Sequence, residues 1–298
     1  MIVIEKNETH LSLKTPAKVN LFLEVLDKRP DGYHNINSLF QAVSLFDTLT
    51  FELSDNPDIS LTIKNTKDLK PDNNNLVYRA FQLMKENFNL KKGLLITLEK
   101  NIPIAAGLAG GSSDAAATIL ACNILYDLKL NYNKMAELGL KLGSDIPFFF
   151  SAGQALVTGR GENIKETSYP TDYHMVLVTP NIAISTAESY SSLKRDLTKS
   201  DDPFILPRCE AVKEFIDYLS GSRNDFERVH LESYSQLSRI KDDLKKFGAG
   251  LVRMSGSGPT VFGIFDVIPE REEFDTFGWG NWLTNVVKPI TLQRQVHF

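Results

Sequence analysis

At 298 residues, with 42% hydrophobic and 23% charged side chains, the chain has the composition of an ordinary globular protein and more length than a typical single domain. A net charge of −4 argues against a nucleic-acid binder that works through a general basic surface. No apolar run reaches the roughly 18 residues that span a bilayer, and Cys122 and Cys209, far apart and without metal-ligand spacing, read as buried free thiols in a reducing, cytoplasmic compartment.

Alternation organises the first elements. Leu11, Leu13, Val19, Leu21, Leu23 and Val25 fall on one parity and Lys18, Asn20, Phe22 and Glu24 on the other, which predicts two strands divided near Pro16. Lys18 and Asn20 then share one strand face, two residues apart, where both can address one ligand. Pro30-Asp31-Gly32 is a turn signal preceded by Lys28 and Arg29 and followed at once by two rings, Tyr33 and His34, a set that suits an anionic, planar ligand. Ser38 to Leu53 reads as strand, turn near Asp47, strand. Asn74 or Asn75 caps a helix through Phe81, Leu83 and Met84, and Gly93 to Leu98 is a strand.

That strand leads into the stretch from Ile102 to Thr118, a glycine-serine turn running straight into an alanine-rich helix. Gly107, Gly110 and Gly111 lack a Cβ, so the backbone can take positive φ and let a bulky anion approach its N–H groups. Ser112 and Ser113 are N-cap candidates for a helix from about Ser113 to Leu128, whose stripe of Ile119, Cys122, Leu125 and Tyr126 should face the core. Free N–H groups and the positive end of the helix dipole make the junction an anion site. Neither the G-x-x-x-x-G-K-[ST] nor the G-x-G-x-x-G fingerprint is present.

A second helix, Lys134 to Leu142, should end at Gly143 as its C-cap, and Asp145 follows in front of a wall of aromatic residues. Gln154 to Val157 and the turn at Gly159-Arg160-Gly161-Glu162 close the first half, and a polar stretch to Thr171 reads as a domain seam. Beyond it come a strand at Met175 to Val178, a helix beginning at Ile184 to Tyr190 and a polar loop from Lys194 to Pro207. Leu237, Ile240, Leu244 and Phe247 make an amphipathic helix stopped by Gly248, and Met254 to Thr260 is a glycine turn before the strand Val261 to Phe265.

Five of these stretches, in this order, resemble the GHMP kinase superfamily. Ala17-Lys18-Val19-Asn20-Leu21 is similar to its opening motif, Pro103 with Gly107 to Ser113 to its glycine-rich loop, Gly143 to Phe149 to its G-[SA]-D-[VI]-P-F-F, Ile184 to Tyr190 to the start of its second half, and Ser255 to Gly258 to its third motif. The Arg29-to-His34 signature resembles the branch whose acceptor is 4-diphosphocytidyl-2-C-methyl-D-erythritol, in the non-mevalonate isoprenoid pathway.

The resemblance implies an α+β, two-domain GHMP kinase fold, with domains at 1–165 and 166–298 and the active site in the cleft between them. It implies ATP and Mg²⁺, with the phosphates on Pro103, Gly107, Leu108, Ala109, Gly110, Gly111, Ser112 and Ser113 and the adenine near Asn75. Asp145 becomes the catalytic base and Lys18 its partner, with Asn20 beside the acceptor hydroxyl. Tyr33 stacks on the cytosine, His34 hydrogen-bonds its polar edge, and Tyr190, beside Thr186, covers the second face. Two residues depart from the common pattern: Ala109 stands where some members have glycine, and Asp114, where asparagine is also common, must turn away from phosphate or bind metal. Another GHMP kinase and a catalytically silent ligand sensor are the alternatives; Tyr33-His34 argues against the first, and Lys18 together with Asp145 against the second. Oligomeric state is not legible in the sequence.

Overall fold

The computed structural model describes residues 1–193, 203–267 and 279–292. Its elements run β1 (Ile2–Lys6), β2 (His10–Lys28), β3 (His34–Ser54), β4 (Ser60–Lys64), α1 (Leu76–Phe88), β5 (Gly93–Glu99), α2 (Gly110–Leu125), α3 (Tyr132–Leu140), a short 3₁₀ helix (Ile146–Phe150), β6 (Gln154–Gly159) and β7 (Asn163–Glu166). They continue with β8 (His174–Thr179), α4 (Thr186–Ser192), α5 (Val212–Ser220), α6 (Glu227–Ser233), α7 (Ser235–Lys246), β9 (Leu251–Met254), β10 (Val261–Phe265) and β11 (Leu283–Val287). The first seven strands form one sheet, ordered β1-β2-β3-β5-β4, with β6 on β3 and β7 on β6; the other four form a second, ordered β11-β8-β10-β9.

Two long strands replace the four shorter ones that the sequence predicts. Pro16 does not divide β2: it sits where the β2–β3 register slips, from Pro16 opposite Phe46 to Ala17 opposite Val43. A residue without an N–H is tolerated at such a bulge, and the chain continues through it. Asp47 makes no turn either, because it pairs with Thr15 inside the ladder. The polar interruption in β3 marks a change of neighbour: Ile36–Gln41 pairs with β6, and Thr48–Ser54 with β5.

Each bulge also reverses which way the following side chains point. Leu11 and Leu13 lie in the core under the helices, Ala17, Val19, Leu21 and Phe22 pack with Met175, Leu177, Phe262 and Ile264 of the second sheet, and Leu23 and Val25 return to the first core. The single apolar parity expected for this stretch is therefore two faces, exchanged at Pro16/Ala17 and again at Asn20/Phe22. The middle segment is the seam between the sheets.

Helix α2 starts at Gly110, three residues before the expected Ser113; Ala109 is its left-handed N-cap, at φ 54°. The Ser113 amide makes an intrahelical bond to the Ala109 carbonyl, so neither serine caps. Ala115, Ala116, Ala117 and Ala121 are fully buried, and the helix is enclosed on nearly all sides instead of facing the core along one stripe. Gly143 does not take a left-handed φ; its amide closes the last turn of α3 onto Gly139. Asn75 caps α1 through Val77, and α7 stops before Gly248 at φ +90°, both as expected. Residues 194–202 of the expected loop lie outside the described residues, and 203–207 form no regular element. No helix among the described residues is long and apolar enough to cross a membrane.

Candidate active site

Lys18 and Asn20 lie in the segment of β2 between two bulges, and their side chains point away from the seam into a cleft of about 380 Å³. The Lys18 ammonium donates to Asn20 Oδ1 at 2.6 Å and stands 3.4 Å from Asp145 Oδ2. It also lies over the Phe40 ring, 4.4 Å from the centroid. Asn20 in turn donates to the Ser38 hydroxyl at 3.0 Å, so its amide is oriented with the oxygen toward the lysine. Asp145 begins the 3₁₀ helix without spending its side chain on a cap. Its carboxylate is 35% exposed, against 4% for the Lys18 side chain, which leaves it open to the cleft beside a fixed cation.

The glycine loop forms one wall of the cleft. Pro103, Gly107, Ala109, Gly110, Gly111 and Ser112 line it, and Ala105 and Ala109 hold left-handed φ despite their methyl groups. The turn Ser255–Gly258 closes from the second sheet. Ser255 donates its hydroxyl to the Gly107 carbonyl at 2.9 Å, Lys18 N–H binds the Leu108 carbonyl at 3.1 Å, and the Ser257 and Thr186 hydroxyls meet at 2.9 Å. N–H groups of the helix start and small residues therefore converge on one wall, with a lysine and a carboxylate opposite.

Five sequence-predicted site residues, Ser113, Leu108, Asn75, Tyr33 and His34, do not line the cleft. Ser113 is buried, its hydroxyl paired with that of Thr15, and the Leu108 side chain is in the core. Asn75 spends its amide on Val77 N–H and the Lys70 carbonyl, while its neighbour Leu76 reaches the cleft. Tyr33 is 53% exposed, outside the cavity, with Arg160 5.0 Å above its ring. In place of a Tyr33–Tyr190 sandwich, His34 stacks on Tyr190 with centroids 5.3 Å apart, and Phe226 meets Tyr190 edge-on at 4.9 Å. Burial, with the Asp145 charge adding to it, pushes the Tyr190 phenol up to about 12. Burial holds His34 below the usual histidine range, with Lys28 adding and Asp27 opposing.

Asp114 is turned away from the loop. Its carboxyl is buried, with Oδ2 3.4 Å from Lys100, whose ammonium also pairs with Asp47. Burial pushes the Asp114 acid well up, Lys100 opposing and Asp47 reinforcing the shift. Asp47 further accepts the amides of Asn101 at 2.6 Å and Ile102 at 2.8 Å, pinning the loop's stem. Sequence reasoning misses Lys100, Ser38, Phe40 and Phe226: Lys100 and Phe226 carry no local signal, and Ser38 and Phe40 read as ordinary strand residues. Among the described residues, no group of three or more histidine, cysteine or acidic side chains could hold a metal. Oxygen donors at the cleft include the Ser112 hydroxyl, next to the glycine loop, and the Asp145 carboxylate across from it.

Residues 75–153 match the GHMP kinases N terminal domain and residues 207–274 the GHMP kinases C terminal. The chain is 44% identical over 252 residues to a 4-diphosphocytidyl-2-C-methyl-D-erythritol kinase of Bacillus velezensis, covering 84% of this chain and 86% of that one. It is likewise 44% identical over 254 residues to a kinase of the same name from Bacillus subtilis, with 84% and 86% covered. The crystal structure of a 4-(cytidine 5'-diphospho)-2C-methyl-D-erythritol kinase superposes with a TM-score of 0.71 at 30% identity, covering 93% of this chain and 99% of that chain. Methanococcus jannaschii mevalonate kinase shares the fold, with a TM-score of 0.71 at 17% identity over 96% of this chain and 100% of its own. With its α+β fold and the two domain matches, the chain belongs to the 4-diphosphocytidyl-2-C-methyl-D-erythritol kinase family of the GHMP kinases.

Proposed function

We propose that the chain transfers the γ-phosphoryl group of ATP to the 2-hydroxyl of 4-diphosphocytidyl-2-C-methyl-D-erythritol, with Asp145 as general base. The observation that carries this reading is the Lys18–Asp145 pair, 3.4 Å apart, facing the glycine loop across one cleft. The acceptor oxygen attacks the γ-phosphorus, the bond to the β–γ bridging oxygen breaks, and the hydroxyl proton passes to the Asp145 carboxylate. Lys18, held by Asn20, keeps that carboxylate aligned and meets the charge spread over the moving phosphoryl oxygens. N–H groups at the start of α2 take the other phosphates, and the Ser255–Gly107 bond keeps the loop from splaying. The aromatic group of His34, Tyr190 and Phe226 supports recognition of the planar base.

Mg²⁺ fits this donor set. It takes few protein oxygens and is commonly carried in on phosphates, so the Ser112 hydroxyl beside the phosphate wall would suffice to receive it, there being no acidic cage among the described residues. When bound it supplies charge neutralisation at the transferring phosphate. We further place the division between an ATP-holding domain and a domain completing the acceptor pocket at 1–165 and 166–298. Free, buried Cys122 and Cys209 support a cytoplasmic location.

The test is ATP consumption by the purified protein with Mg²⁺ and the cytidyl acceptor, beside mevalonate, homoserine and galactose. Turnover confined to the cytidyl acceptor is expected, and Asp145→Asn should lower kcat by roughly 10²- to 10⁴-fold with ATP binding retained. Turnover on another alcohol would refute the acceptor assignment, and an Asp145→Asn variant with wild-type kcat would refute the base.

A further inference from the structure

Helix α4 presents Thr186 and Tyr190 to the cleft, yet it has only seven residues, too few to hold itself. Its inner face carries Ser189, a fully buried hydroxyl. That hydroxyl donates to the Ser185 carbonyl at 2.8 Å and lies 2.8 Å from Nε2 of His230 on α6. With the only hydroxyl hydrogen directed at Ser185, the ring nitrogen is the donor of the pair, so the imidazole is the Nε2–H tautomer. Burial also holds His230 below the usual histidine range, in keeping with a neutral ring.

Helix α6 is itself firmly placed. Glu227 accepts the Met254 amide of β9 at 2.6 Å and pairs with Lys241 of α7 at 2.7 Å, and the Phe226 amide is capped by Asn224 at 3.0 Å. Asn224 in turn donates to the carbonyls of Met254 and Gly256, the latter in the turn that touches the glycine loop. The imidazole thus joins a short, weakly self-supporting helix to a rigid one. The imidazole is itself flanked by the rings of Phe226 and Tyr234.

We propose that His230 is a positioning residue for the acceptor half of the cleft: its Nε2–H, donated to Ser189, fixes the face of α4 that presents Thr186 and Tyr190. That this half takes the acceptor rests on the function proposed above; the anchoring of α4 does not. The pair should act mainly on the acceptor, because the glycine loop has its own holds in Ser255 and Asp47 and α4 meets that turn through the Thr186–Ser257 hydroxyl pair, at the far end of the helix from Tyr190.

The experiment compares His230→Ala, His230→Gln, Ser189→Ala and the double alanine variant of the full chain, by steady-state kinetics and by hydrogen exchange of the α4 amides. The alanine variants should raise the acceptor KM about tenfold and leave the ATP KM within about twofold, the size of effect one lost buried hydrogen bond supports. The double variant should be no worse than either single one. His230→Gln, which offers an N–H of similar reach, should recover most of the loss. Exchange in residues 187–192 should quicken in His230→Ala, with α2 and α7 unchanged. Equal rises in both KM values, or α4 exchange identical in wild type and His230→Ala, would overturn the proposal. If the wild type fails to phosphorylate the cytidyl acceptor, the proposed function falls, and exchange alone decides the anchoring.

Discussion

Replacing Gly107 by alanine should break the contact that joins the two halves of the cleft. Gly107 has φ +75°, and a Cβ built on it lies far inside contact distance of the Ser255 carbonyl oxygen and 3.1 Å from that of Gly258. Both obstacles are backbone, so no rotamer change relieves them. The left-handed φ alone is not prohibitive: Ala105 and Ala109 adopt φ of 52° and 54° in the same loop. It costs about 1 kcal/mol, loss of the Ser255–Gly107 bond about another, and forcing the turn outward about 1 to 3, a total of about 3 to 5 kcal/mol. Gly111→Ala is the control. Its Cβ would meet only Leu76 Cδ1, at an ordinary 3.6 Å, and inside a helix the exchange should be neutral or gain about 0.5 to 1 kcal/mol. Urea unfolding of both variants, read beside their KM for ATP, separates the two cases. A Gly107→Ala protein within about 1 kcal/mol of wild type, with an unchanged ATP KM, would refute the clamp.

The ion cluster behind the loop makes a second contrast. Asp47→Ala frees two amides and takes the nearer of two carboxylates from buried Lys100, leaving it Asp114 at 3.4 Å, which should cost about 3 to 5 kcal/mol in urea unfolding, whereas Asp114→Asn, which replaces a carboxyl whose Oδ1 has no partner, should stay within about 1 kcal/mol of wild type. Acid should loosen the protein through two of its histidines. His34 and His230 both have folded pKa values lowered from the usual 6.5, so the unfolded chain takes up protons first. The stability they contribute is complete above that value and is lost as pH falls through the folded ones. The urea midpoint should therefore drop as pH falls below about 6.5, and less so in His230→Gln.

Motifs whose meaning lies in consecutive residues were legible in the sequence. Gly107 to Ser112 reads as an anion loop because the absence of Cβ atoms and the start of a helix are local properties, and the Lys18–Asn20 pairing follows from the period of a strand. What was not legible is set by partners distant in the chain. Ser113 looks like a cap until Thr15, 98 residues away, takes its hydroxyl. Asp47 looks like a turn until Lys100 and two amides converge on it. Asp114 could be assigned only two options, and the choice between them was made by Lys100, a residue without any sequence signal of its own.

The bulges show the same limit with a functional consequence. Strict alternation would keep Leu13, Val19 and Leu23 on one face of β2, and a single sheet face can serve only one core. This strand serves two, the helices of the first half and the second sheet, and it changes between them by slipping register at Pro16/Ala17 and Asn20/Phe22. Residues 17–20 lie between the slips. Because Val19 and Leu21 there pack against the second sheet, Lys18 and Asn20 point to the side where the glycine loop and Asp145 converge. The register slips that defeat a simple reading of the strand are thus what bring its two polar side chains into the cleft.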